Sequence, residues 1–149
     1  MTTSTGAACA LCTGNEASTE ELPPRERVHV GAGWRVIAHR SALPGWMLVA
    51  PRRHVESMAE LTGSEAAELG EILRAGSQVL ADVVGCERTY VMQFSEGMRH
   101  LHFSLVPRMA DLPAERLGAK IGAYNAQDEP LDETARDEIA GRLAASWPA

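Results

Sequence analysis

His100-Leu101-His102-Phe103-Ser104-Leu105-Val106-Pro107-Arg108 is the stretch whose reading decides the fold. Side chains alternate across a strand, so His100, His102 and Ser104 fall on one face while Leu101, Phe103 and Leu105 fall on the other. On this reading the strand runs from His100 to Val106, and Pro107 ends its pairing. Two of the chain's five histidines are spent here, two residues apart on an apolar strand. That is costly if only burial is wanted, because each ring nitrogen needs a partner. The competing reading is the exposed polar face of an edge strand.

Working outward, Thr89 to Phe94 reads as a second strand, joined to the first through Ser95–Arg99, a connection of hairpin length. Before it, Leu69, Ile72, Leu73, Gly76, Leu80 and Val83 recur at three and four residues. The spacing predicts one main amphipathic helix from Thr62, with Thr62 and Glu65 as a capping box and Gly85 as its left-handed stop. Glu65, Glu68 and Glu71 then form a solvated helix face. Gly70 and Gly76 weaken a helix unless they let it approach a sheet closely. Three short runs come earlier: Val28–Val30, Trp34–Ala38 and Trp46–Ala50, divided by Gly31-Ala32-Gly33 and Leu43-Pro44-Gly45. They predict an antiparallel meander. Ala135, Ile139, Leu143 and Trp147 predict a C-terminal helix starting near Asp132 or Thr134. Crossover helices do not regularly separate these strands. The fold class is therefore α+β, a five-stranded antiparallel sheet with one main amphipathic helix and a C-terminal helix.

A chain of 149 residues suits one domain. Hydrophobic residues at 45% and charged residues at 23% exclude wholesale disorder and fibres. With 14 Lys and Arg against 20 Asp and Glu, the net charge of −6 argues against nucleic acid as the main partner. No apolar run approaches the roughly 20 residues of a membrane span, and Met1 to Ala8 lacks the basic and apolar regions of a secretory signal. The expectation is a cytoplasmic protein with no membrane partner. Of three cysteines, Cys9 and Cys12 form a Cys-x-x-Cys pair, which in a reducing compartment points to metal or redox chemistry, while Cys86 packs. Thr13 to Arg27, polar and holding Pro23-Pro24, reads as a linker or solvent loop.

The stretch from His100 to Arg108 resembles the signature of the histidine triad (HIT) superfamily of nucleotide hydrolases and transferases: His-φ-His-φ-His-φ-φ, with φ apolar, commonly followed by Pro-Arg. Pro44-Gly45-Trp46-Met47-Leu48-Val49-Ala50-Pro51-Arg52-Arg53-His54-Val55 is similar to the family's Pro-Gly-His-x-Leu-Val-x-Pro-x-x-His-x strand and turn. The helix from Thr62 falls where that family has one. The resemblance implies a HIT-like fold, a homodimer, and a nucleotide or nucleoside-phosphate ligand. It makes His102 the nucleophile attacking an α-phosphate to form a covalent nucleotidyl-histidine, with Ser104 at the position that handles the phosphate and leaving group. The implied substrates are dinucleoside polyphosphates or nucleoside phosphoramidates. His39, between the second and third strands, and Arg99 are the implied nucleotide contacts. Two residues depart from the pattern: Ser104 stands for the third histidine and Trp46 for the histidine after Pro-Gly.

HIT relatives with an N-terminal Cys-x-x-Cys close a structural zinc site with two histidines, which map onto His54 and His100. The implied metal ligands are Cys9, Cys12, His54 and His100, the cofactor zinc. One domain spans 1–149, made of a zinc-knuckle and linker segment 1–27, a core 28–108 and a C-terminal helical extension 109–149. Two alternatives stay open: a nucleotide-binding module weakened in catalysis by Ser104 and Trp46, and a zinc-stabilised interaction protein.

Overall fold

A computed structural model describes residues 9–149; the reading of Met1 to Ala8 lies outside them. Helix α1 (Ala10–Glu16) opens the described chain and is followed by two 3-10 turns, Thr19–Glu21 and Pro24–Glu26. Strands β1 (His29–Val30), β2 (Trp34–Ala38) and β3 (Met47–Pro51) come next, then helix α2 (Gly63–Val84) and strands β4 (Arg88–Met92) and β5 (Phe103–Arg108). The short helix α3 (Ala123–Ala126) and helix α4 (Glu133–Ala145) complete the chain. The five strands lie in the order β1-β2-β3-β5-β4, every neighbour antiparallel. The expected α+β class and five-stranded sheet are what the chain forms.

Helix α2 starts and stops where its end residues dictate. The Thr62 hydroxyl accepts from Glu65 N, the Glu65 carboxylate accepts from Thr62 N, and Gly85 closes the helix at φ 72°. Its Leu69, Ile72, Val79 and Leu80 bury against Trp34, Val36, Val49, Phe103 and Leu105 of the sheet, joined by Ala140 and Leu143 of α4. Gly76 marks the closest approach: a Cβ there would sit 2.4 Å from Leu105 Cδ1. At Gly70 the space is open.

Several expectations need correction. Strand β5 starts at Phe103, so His100 and His102 precede it. Strand β4 runs from Arg88 to Met92, which makes their connection Gln93–His102 and not a tight hairpin. His100 is pulled out of the sheet ladder because its ring turns into the cysteine pair. Pro107 does not end the pairing; it lies opposite Thr89. The last β3 partner is Met47, opposite Leu105, so beyond that point the β3 flank demands no N–H from Pro107. Nor is β5 an edge, since β3 and β4 flank it. Trp46 precedes β3 instead of beginning it.

The segment Thr13–Arg27 is no free linker. Arg25 bonds Asp137 of α4 at 2.9 Å through both its backbone N–H and its guanidinium, and Glu26 receives Arg35 at 2.8 Å. Glu65 and Glu68 are half-buried and not simply solvated: Glu65 pairs Arg53 at 2.8 Å, and Glu68 accepts from Gly33 N at 2.9 Å. His29 stacks on Trp147 at 4.8 Å, which makes Trp147 a packing residue. Among the described residues no helix is long and apolar enough to cross a membrane.

Candidate functional site

The face of the sheet away from α2 carries two separate apolar clusters. One gathers Cys9, Leu11, Cys12, Ile37, Leu48 and Ala50 under Met98; the other gathers Leu43, Trp46, Val106 and Ile121 with Tyr90, Met92 and Tyr124. Ser104, in register with Leu48 on one side and Met92 on the other, lies between them. Within the His100–Ser104 segment Ser104 faces the gap between these two lids and His100 turns into the first, while Leu101, Phe103 and Leu105 enter the main core.

At the first lid the four expected metal donors come together from three regions of the chain. Cys9 Sγ lies 3.3 Å from His100 Nδ1. Cys12 Sγ lies 3.4 Å from the same nitrogen and 3.2 Å from His54 Nδ1. All four donor atoms fall within 4.8 Å of one another. Around a tetrahedral zinc, bonds of about 2.3 Å to sulfur and 2.0–2.1 Å to nitrogen place S and N about 3.6 Å apart. The donor set and spacing are those of a zinc-type Cys2His2 site. Burial and the neighbouring Cys9 sulfur push the Cys12 thiol up to about 11, so the pocket disfavours a second thiolate unless a cation supplies the missing charge. Burial also holds His100 below the usual histidine range, keeping it in the neutral form that ligates. Zinc bound here would take all four positions from protein, tying α1 to the turn after β3 and to the segment before β5.

The supports of this site were missed by sequence reasoning. His100 Nε2 donates to Pro51 O at 2.7 Å, which fixes the tautomer that turns Nδ1 toward the sulfurs. Arg35, 2% exposed, donates to Asn15 Oδ1 at 2.7 Å, Glu26 O at 2.9 Å, Glu26 Oε2 at 2.8 Å and Leu11 O at 3.1 Å. It fastens α1 and the following turn onto β2. The available signal was a lone arginine inside Trp34–Ala38, every residue of which is buried.

His102 follows from His100 by one backbone group. His102 Nδ1 donates to His100 O at 2.8 Å, leaving Nε2 with the lone pair, and Leu101 N between them donates to Val55 O at 2.8 Å. Ser104 is half-buried on the same side. His39 and the Trp46 ring lie 5.9 Å apart across the β2–β3 turn, and His39 is lowered to about 4 by burial, by the Arg136 charge and by His102. The structure therefore brings His39 against Trp46 and within electrostatic reach of His102. Arg99 is placed differently: exposed, it lines a cleft of about 320 Å³ with Cys9, Ala10, His54, Gly97, Met98 and His100, over the metal donors.

An antiparallel five-stranded sheet backed by one long helix, with a Cys2His2 group beside a His-x-His segment, defines a HIT-like fold carrying a zinc-type site. No protein-family model matches the chain and no curated protein matches it. Solved structures do. A hypothetical histidine triad nucleotide-binding protein from Sulfolobus tokodaii strain 7 superposes with a TM-score of 0.70 at 19% identity, over 93% of this chain and 91% of that one. A zinc-bound histidine triad family protein from Mycobacterium smegmatis gives 0.68 at 15% identity, over 94% and 93%. A uridylyltransferase gives 0.62 at 22% identity, over 86% of this chain and 42% of that one. The HIT-like fold expected from sequence is the fold of this chain.

Proposed function

We propose that the protein is a nucleotide phosphohydrolase or nucleotidyl transferase that works through a covalent nucleotidyl-histidine on His102. The observation that carries this reading is the 2.8 Å bond from His102 Nδ1 to His100 O, which commits one nitrogen to the backbone and frees the other for attack. In the first step Nε2 attacks the α-phosphorus. The bond from phosphorus to the leaving oxygen or nitrogen breaks, and the leaving group departs with that electron pair and takes a proton. Water then attacks the same phosphorus, the P–N bond breaks, and a nucleoside monophosphate is released from the restored imidazole. Ser104 donates its hydroxyl proton in a hydrogen bond to the phosphate or leaving group, carrying no charge of its own. His39 and Arg99 contact the nucleotide. Cys9, Cys12, His54 and His100 hold zinc, whose part is to fix His100 and, through one carbonyl, the orientation of His102.

A homodimer accompanies this reading. Strand β4 is a free sheet edge, with Val91 50% and Phe94 67% exposed beside it, a surface that a second copy would cover.

The test compares wild type with His102→Ala on adenosine phosphoramidate, diadenosine polyphosphates and sugar nucleotides. Turnover should fall at least about a thousandfold in the variant. Acid quench of the wild type should trap nucleotide on His102. Nucleotide bound but not consumed would instead favour the weakened binding module, and no binding at all the interaction protein.

A further inference from the structure

Of the chain's three thiols, two lie where they can act together. Cys9 caps α1 and Cys12 stands in its first turn, with Cys12 N donating to Cys9 Sγ at 3.3 Å. Their sulfurs fall within the 4.8 Å that encloses all four metal donors, and neither is in a disulfide. Residues three apart at a helix start have Cα atoms about 5 Å apart, inside the range of about 4.4–6.8 Å that a disulfide spans. Cys86 cannot replace either one. It packs with the main core on the α2 face of the sheet, while Cys9 and Cys12 belong to a cluster on the other face.

The two cysteines differ in access. Cys9 lines the cleft of about 320 Å³ over the metal donors, enough for a molecule as small as hydrogen peroxide, whereas Cys12 lies off that lining. Contacts that use no metal keep the pair in place. Arg35 donates to Leu11 O, between the two cysteines, at 3.1 Å and to Asn15 Oδ1 at 2.7 Å, and Asn15 Nδ2 donates to Arg52 O at 3.0 Å. Helix α1 is thus fastened to β2 and to the turn after β3 by bonds independent of the sulfurs. A lost metal would leave the cysteines facing His54 and His100.

We propose that Cys9 and Cys12 are a site of reversible oxidation, at which a peroxide turns the zinc-binding pair into a disulfide and empties the metal site. The Cys9 thiolate attacks one peroxide oxygen, the O–O bond breaks, and hydroxide leaves a sulfenic acid behind. The Cys12 thiolate then attacks the Cys9 sulfur, forming the S–S bond and expelling the second oxygen as hydroxide. The sulfurs lose two electrons, the peroxide gains two, and two protons from solvent turn both hydroxides into water. A disulfide offers no thiolate, so only His54 and His100 remain as donors and the metal departs. The proposal rests on the zinc assignment and stands apart from the nucleotide reading.

The test treats the zinc-loaded protein with hydrogen peroxide while free thiols, released zinc and the melting curve are followed. Two of the three thiols should disappear together with the zinc, at least about tenfold faster than Cys86 reacts, and peptide mapping should find Cys9 joined to Cys12. The oxidised protein should stay folded with a lower melting temperature, and a dithiol reductant with zinc should restore the thiols and the original melt. Cys12→Ser should halt the reaction at a sulfenic acid on Cys9, captured by dimedone. If that variant fails to fold, Cys86→Ser, which leaves the pair intact, should lose both remaining thiols in one step. Zinc loss without a Cys9–Cys12 bond, oxidation of Cys86 first, or zinc binding that a reductant cannot restore overturns the proposal. If the protein carries no zinc, the zinc assignment fails and the thiols decide: a Cys9–Cys12 bond that a reductant reverses upholds the oxidation site, and its absence overturns it.

Discussion

One residue separates His100 from His102, yet their surroundings are opposite. His100 is 1% exposed with both ring nitrogens engaged, one by Pro51 O and the other by two sulfurs. Behind it stand Arg35 with four hydrogen bonds and Asn15 with two. His102 is half-buried, and its Nδ1 donates to His100 O at 2.8 Å. The His100 end is closed, knitted to several parts of the chain although His54 Nε2 there has no partner, while the His102 end is open, its ring held by one backbone bond.

This contrast can be broken most directly at the closed end. Cys9→Ser, or chelation of the wild type, should remove the metal and lower the melting temperature by about 10 °C or more, because a structural zinc contributes to folding outright. Metal analysis beside a thermal melt checks it, and an unchanged melt would mean that the closed end holds itself together without a cation. Arg35→Met should cost about 3 kcal/mol by leaving Glu26 and the Leu11 carbonyl unpaired, seen in a denaturant titration. The same change should lower zinc affinity, because α1 loses its anchor to β2.

At the open end, pH is the probe. Burial holds His39 near 4, below the ordinary 6.5, so the unfolded chain takes up the proton first as pH falls. Stability from this residue is complete above about pH 6.5 and is lost as the pH drops toward 4, amounting to about 3 kcal/mol. The checking measurement is the difference between wild type and His39→Asn at pH 7.5 and at pH 4.5; a difference that does not change with pH would show His39 to be accessible to protons when folded. The smallest effects lie on the apolar face beneath both ends. Gly76→Ala should cost about 1 kcal/mol net, the overpacking against Leu105 outweighing the helix gain. Gly70→Ala, in open space, should add up to about 1 kcal/mol. Paired thermal melts decide both.

Much of this was legible from neighbouring residues. The alternation Leu101, Phe103, Leu105 named the core face of β5 correctly although the ladder begins later, because side-chain direction survives where strand pairing does not. The Thr62–Glu65 box and Gly85 stated both ends of α2, since capping is settled within one turn. The reading of Pro107 as a terminator failed because whether a missing N–H matters depends on how far the neighbouring strand reaches. The linker reading of Thr13–Arg27 failed because its polarity serves Arg35 and α4, partners that spacing does not reveal.

The amino-acid sequence by itself determined the approximate places of the five strands, helices α2 and α4, the caps of α2, the apolar faces and the Cys-x-x-Cys pair, all set by residues a few positions apart. Bringing His54 and His100 onto cysteines 42 and 88 residues away was foreseen only through resemblance to a known fold. The tertiary structure alone decided which carboxylates Arg35 and Arg25 consume, and that Arg136, 98 residues from Ala38, arrives beside His39 without one. The physical reason is that the pairing of buried charges depends on which surfaces pack together, and no local spacing along the chain encodes that.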